Sequence, residues 1–409
     1  MQNFLVKKML HIESKRLVSS FLRFERSFFP SHMPRKLKEF YVAMTILNFA
    51  LAAAMLFEPV YLYTLGFPLW KIMFFYFGVY ALYFFTMPLG GKLAKRWGFS
   101  HGMVIGSLML ILYLILLIAI PSHPVFFYLS IIALAFQKTF FWPAYHADFA
   151  FFSQRGERGR DIGILTIFDS VAFILGPLIG GVIITFFGFP VLFTVMCVVI
   201  LLSVIPLLLS REEFVPSSFH YHEAFLSLIA KENRQYLIGY LGFGEELIVL
   251  TIWPIFIYVA VQNFAETGGI VALSSLITAL ITLIAGRMTD LKDRKNVLQI
   301  GTILYAFGWI LRFFARGGMG IFFVDFFSRT SKNILAVPLL SGLYDYATTH
   351  SLVRTVIFFE MSLVVGKLLA AGILMIVFFF FPTRWDFAFF LGGIFTTLYF
   401  VLNGKQKHI

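Results

Sequence analysis

This sequence is poor in the groups that soluble enzymes and nucleic-acid binders depend on. Its 409 residues contain one cysteine, Cys197, which excludes a disulfide framework and a cysteine-based metal site. Charged residues make up only 13% against 59% hydrophobic, and 53 residues are Phe, so no water-exposed globule could cover its apolar side chains. There is no Gly-x-x-x-x-Gly-Lys-Ser/Thr phosphate cradle, no His-Glu-x-x-His and no Gly-x-Ser-x-Gly, which speaks against an ATP-driven pump, a zinc hydrolase and a serine hydrolase. No cofactor and no metal are expected, and the chain reads as something other than an enzyme. The net charge of +12 does not imply a nucleic-acid partner, because the basic residues fall in short connections between apolar runs.

What the sequence has in quantity is apolar runs of membrane length. A spanning helix needs about 20 mostly apolar residues, and such runs recur from Tyr41 onward, at 40–64, 70–90, 101–120, 125–147, 162–187, 189–209, 236–260, 268–287, 296–314, 318–343, 354–381 and 385–402. The expected class is all-α integral membrane, with twelve transmembrane helices. The expected organisation is a basic N-terminal segment (1–39), a six-helix bundle (40–210), a polar linker (211–234), a second six-helix bundle (235–403) and a short tail (404–409). Residues 1–38 mix Phe4, Leu5, Leu10 and Ile12 with basic residues, which fits either an amphipathic helix on the inner leaflet or a basic tail. With the N-terminus inside, the inner segments hold 25 Lys and Arg, and the outer loops hold four, Lys71, Arg312, Arg316 and Arg384. The positive-inside rule then places both termini in the cytoplasm. No cleaved signal or organellar transit pattern is expected, so the location is a multi-pass protein of the cytoplasmic (inner) membrane.

The two groups of six resemble each other at one offset. Pro59 and Pro254, Gly91 and Gly286, and Pro143 and Pro338 are each 195 residues apart and fall late in spans one and seven, after two and eight, and late in four and ten. Three landmarks at one spacing argue for a duplication. Because each half has an even number of spans, the halves are parallel repeats, an arrangement found in some secondary transporters.

Gly91-Lys92-Leu93-Ala94-Lys95-Arg96-Trp97-Gly98-Phe99-Ser100 resembles the loop between helices two and three of the major facilitator superfamily. Lys95 stands where that family has an acidic residue. In the second copy Gly286, Asp290, Arg294 and Lys295 fall on motif positions, with Asp293 in place of the second Gly. Asp148 and Arg158 lie in a stretch similar to the family's passage from helix four to five, and Asp148 and Arg96 are expected to face each other at the inner mouth. Gly176-Pro177-Leu178-Ile179-Gly180-Gly181 resembles the tail of an antiporter motif, whose small residues permit close helix packing. The helix-four Arg of proton antiporters is absent, with Ile131 near its place. The resemblance implies two parallel bundles around a central cavity lined by helices 1, 4, 7 and 10.

Ionisable groups within spans cost roughly 2.5 kcal/mol or more and therefore face a cavity or a partner. Asp325, Arg329 and Lys332 share one helical face of span ten. Gln137 and Lys138 of span four map by the 195 offset onto Lys332 and Asn333, with the amide and ammonium exchanged. Glu58, Glu245 and Glu246 supply acids on spans one and seven, with Asp169, Glu360 and Lys367 elsewhere. Each of these has two readings, helix-to-helix pairing or contact with solute and protons. Trp142, Trp253, Trp309, Tyr145 and Tyr344 are candidates for stacking on a solute, against the plainer reading as packing between helices. His146 is read either as a proton relay or as a hydrogen-bonded interfacial histidine.

These residues lead to the expectation of a monomeric secondary transporter working by alternating access. Its partners would be the lipid bilayer, a small-molecule substrate and protons, with efflux of small organic molecules favoured by the Gly-Pro-x-x-Gly-Gly element. The competing readings are a lipid flippase on the same fold and, in a different class, a polytopic membrane enzyme.

Overall fold

The computed structural model describes residues 35–152, 158–209, 221–286, 294–349 and 351–402. The basic segment before Arg35, part of the linker, the loop holding Asp290 and the tail after Leu402 lie outside the described residues. Among the described residues the chain is helical throughout, because a backbone in hydrocarbon must satisfy its N–H and C=O groups internally. In chain order the helices are α1 (Arg35–Ala54), α2 (Glu58–Thr64), α3 (Leu69–Trp97), α4 (Phe99–Ala119), α5 (Val125–Phe152), α6 (Arg158–Leu209) and α7 (Tyr221–Ile229). They continue with α8 (Arg234–Leu241), α9 (Gly244–Val261), α10 (Phe264–Gly286), α11 (Arg294–Arg312), α12 (Gly317–Thr349), α13 (Leu352–Phe380) and α14 (Trp385–Thr397).

Twelve spans result, but not as twelve unbroken rods. Span one is α1 and α2, separated by a turn just before Pro59, which sits in the first turn of α2 where its missing N–H costs nothing. Span seven is likewise α8 and α9, interrupted at Gly242 and Phe243. Spans five and six run together as α6 and part at Gly188, whose φ of 80° lies in the left-handed region that a side chain disfavours. The landmarks 195 residues apart occupy matching places: Pro143 is inside α5 and Pro338 inside α12, while Gly91 and Gly286 lie near the ends of α3 and α10.

Spans one to six and seven to twelve form two bundles that meet along two seams. In the first, α3 lies against α13 from end to end: Trp70 meets Phe379 edge-on at 5.8 Å, and a Cβ on Gly91 would sit 2.4 Å from Ile357. In the second, α6 lies against α10, where Gly268 approaches the carbonyl oxygen of Pro177 and Gly181 approaches that of Phe264. The linker is not wholly extended. Its helix α7 docks on α3, with the Tyr221 hydroxyl donating to the Phe85 carbonyl at 2.9 Å and Phe225 packing on Phe84.

Candidate solute-binding site

Helices α6, α9, α10, α11 and α12 enclose a cavity of about 380 Å³. Its wall carries Asp169 from the first bundle and Glu245, Glu246, Arg312, Asp325, Arg329, Lys332 and Asn333 from the second. The three charges on one face of α12 therefore do turn inward together. The cavity is offset into the second bundle: Lys138 and Gln137 of α5 are outside its lining.

Each carboxylate of the wall has a partner. Glu245, fully buried on α9, accepts from Lys332 on α12 and from Tyr305 on α11, and lies 3.3 Å from the Tyr399 hydroxyl. Glu246, its neighbour, turns the other way and meets Lys367 of α13 at 2.7 Å. Asp325 accepts from Arg329 at 2.6 Å and from the Trp253 indole at 2.9 Å. Asp169 accepts from the Asn48 amide at 2.5 Å, tying α6 to α1. Each contact returns part of the desolvation cost of a buried charge. Lys138 has no carboxylate within salt-bridge distance among the described residues. Its ammonium lies 5.4 Å from the ring of Tyr80, as does that of Lys367.

A second polar cluster bridges the bundles. His146 of α5 meets Glu360 of α13 at 3.0 Å and the Tyr344 hydroxyl of α12 at 2.7 Å, while Tyr83 of α3 donates to Glu360 at 2.8 Å. Glu360 thus does not pair with Lys367, although the two lie seven residues apart on α13. Trp142 packs among Phe141, Tyr145 and His146, beside this cluster and away from the cavity wall. Glu58 is buried at the opposite end and accepts from Tyr76 at 2.8 Å.

The loop candidates separate in the same way. Gly91 is a point of close approach between bundles, Arg96 is exposed and Asp148 is buried. Arg294 pairs with Asp345 at 2.8 Å, a partner on α12 that no local pattern signals. Arg158 and Gly286 begin α6 and end α10; Asp290 lies outside the described residues. Gly176 and Gly180 press against Ala52 and Ala53 of α1, while Pro177 and Gly181 press against α10. One expectation is corrected: Arg312, counted with the outer loops, is the last residue of α11, 1% exposed, and faces the cavity.

Two like bundles meeting along paired seams around a charged hollow define a polytopic transporter fold. The family model of the Major Facilitator Superfamily matches residues 39–244, just over half of the chain, and the chain belongs to that superfamily. Among solved structures, the chain is similar to a peptide transporter POT in complex with sulfate, with a TM-score of 0.66 at 14% identity, covering 90% of this chain and 93% of that one. It is also similar to a POT family transporter in complex with 5-aminolevulinic acid, with a TM-score of 0.67 at 12% identity, covering 90% and 95%. At these identities the likeness shows the fold alone. No curated protein matches the chain.

Proposed function

We propose that this secondary transporter moves a small, polar, charged organic solute by alternating access, and that proton movement is coupled through the carboxylates of α9. The observation that carries this reading is the cavity wall, where Glu245–Lys332 and Trp253–Asp325 join α9 to α12 beside Glu246, and Asp325 also holds Arg329 of its own helix. A solute or proton that engages one partner releases the other, so binding changes how firmly these helices are held. Lys138, with no carboxylate in contact, adds a positive charge from the first bundle beside the Tyr80 ring, which the ammonium of Lys367, the partner of Glu246, also approaches. The solved neighbours carry sulfate and 5-aminolevulinic acid, which are small and charged, in keeping with such a cavity. Gly176, Gly180 and Gly181 are accounted for by helix packing, which serves import and export equally, so the antiporter-like element carries no direction.

The test is reconstitution into vesicles loaded with a pH-sensitive dye and challenged with a panel of soluble solutes and a fluorescent lipid. Proton movement should follow one class of soluble solute, and the sign of the flux reads the direction. Glu245→Gln and Glu246→Gln should abolish solute-driven proton flux. Movement of the fluorescent lipid alone would mean a flippase, and unchanged flux in both carboxylate variants would refute the coupling role.

A further inference from the structure

The same cavity contains a set of buried hydrogen-bond donors with nothing to donate to. Arg312 lies against two indoles: its guanidinium carbon is 3.7 Å from the Trp309 ring centroid and 4.9 Å from that of Trp253. Stacking uses the faces of the guanidinium plane, whereas its N–H groups point outward in that plane. Here Nε and Nη1 are buried and have no hydrogen-bond partner among the described residues. The same is true of the Ser275 and Ser328 hydroxyls, which line this cavity from α10 and α12. The Tyr305 hydroxyl lies beside the Arg312 guanidinium and leaves Nε and Nη1 unmet; Asp325 and Glu245 are already engaged, by Arg329 and Trp253 and by Lys332 and Tyr305.

A buried polar atom without a partner is costly, and more so where it belongs to a cation with no carboxylate in contact. Three separate helices bring residues with such atoms to the wall of one hollow, and all can donate. The complement is an oxyanion, which only accepts. We propose that Arg312, Ser275 and Ser328 form a subsite for an oxyanion group, carboxylate or phosphate, of the transported solute. This rests on the reading of the cavity as the transport site. Arg329 and Lys332, neutralised by their carboxylates, hold the wall together, while Arg312 is the charge kept for the ligand.

The Trp rings on Arg312 make occupancy readable. Protein in nanodiscs is titrated with acetate or with inorganic phosphate at fixed ionic strength, with chloride as the control salt, and tryptophan emission is followed. The expected result is a saturable change with one or both oxyanions and none with chloride; the stronger arm tells carboxylate from phosphate. Ser275→Ala with Ser328→Ala, a pair of small substitutions that leaves packing intact, should weaken binding by tenfold or more. Arg312→Gln should abolish it, Arg312→Lys should weaken it strongly, and Arg384→Gln in the far loop should not alter it. A wild-type protein without a saturable response, or a serine double variant that binds like wild type, overturns the subsite. Solute-driven proton flux that persists in that case leaves the transporter reading standing, so the two failures are distinct.

Discussion

Lys332 on α12 donates to Glu245 on α9, joining residues 87 positions apart at the wall of the cavity. Glu245 has no solvent exposure, so this contact and that of Tyr305 take the place of water around it. Breaking a buried pair from one side costs about 3–5 kcal/mol, whereas removing both charges together is close to neutral. Lys332→Ala should therefore lower the thermal stability of the detergent-solubilised protein sharply. Glu245→Gln with Lys332→Gln should recover most of that loss yet remain inactive in vesicles. A double variant as unstable as the single one would show that the pair is not coupled.

Asp325 serves two donors of different kinds, and they can be separated. Asp325→Asn keeps an acceptor for the Trp253 indole but removes the charge facing Arg329. Asp325→Leu removes both. Leaving the buried indole donor unsatisfied costs about 1–3 kcal/mol, so the Leu variant should be the less stable of the two by at least about 1 kcal/mol. Equal unfolding temperatures would place the Trp253 contact outside the stability of the bundle.

The His146–Glu360 contact crosses from one bundle to the other, with Tyr344 and Tyr83 fixing its two ends. Such a contact exists only when α5 and α13 are close, so it favours the arrangement seen here over one in which the bundles part at that end. With about 1.5–3 kcal/mol at stake, His146→Phe should shift the population roughly tenfold or more toward the parted form. Spin labels at Lys92 and Arg354, both exposed and on opposite bundles, report this distance once Cys197 is replaced. An unchanged distance distribution would mean that the seam between α3 and α13 alone sets the equilibrium.

Much of this architecture is legible in the sequence, because membrane spans are encoded locally. Apolar length gave the spans, the 195-residue offset gave the parallel halves, and the i, i+4, i+7 spacing of Asp325, Arg329 and Lys332 put them on one face that does line the cavity. Pairing is not local. Nothing near Glu360 says that it meets His146 rather than Lys367, seven residues along its own helix, since that choice depends on where α5 lies. Arg312 is deceptive in the sequence for a related reason: a basic residue at the end of an apolar run usually marks a loop. Its burial follows from Trp253 and Trp309, one of them on another helix. Gln137 and Lys138 match Lys332 and Asn333 by repeat position, yet the cavity is asymmetric and only the second pair lines it.

Close approach between bundles at the seam of α6 and α10 gives the sharpest test of the packing, because two adjacent glycines meet opposite surroundings. A Cβ on Gly268 would lie 2.1 Å from the Pro177 carbonyl oxygen, a backbone atom that cannot swing aside, whereas one on Gly269 would meet nothing within 4 Å. Without a hydrophobic drive between helices in lipid, such small-residue contacts provide much of the association. Gly268→Ala should cost about 1–3 kcal/mol by overpacking and should pry the bundles apart at that end. Gly269→Ala should be neutral or stabilising by up to about 1 kcal/mol, since alanine is the better helix former. Thermal unfolding of the two variants side by side decides the matter: equal behaviour would mean that α6 and α10 do not approach as closely as the structure places them.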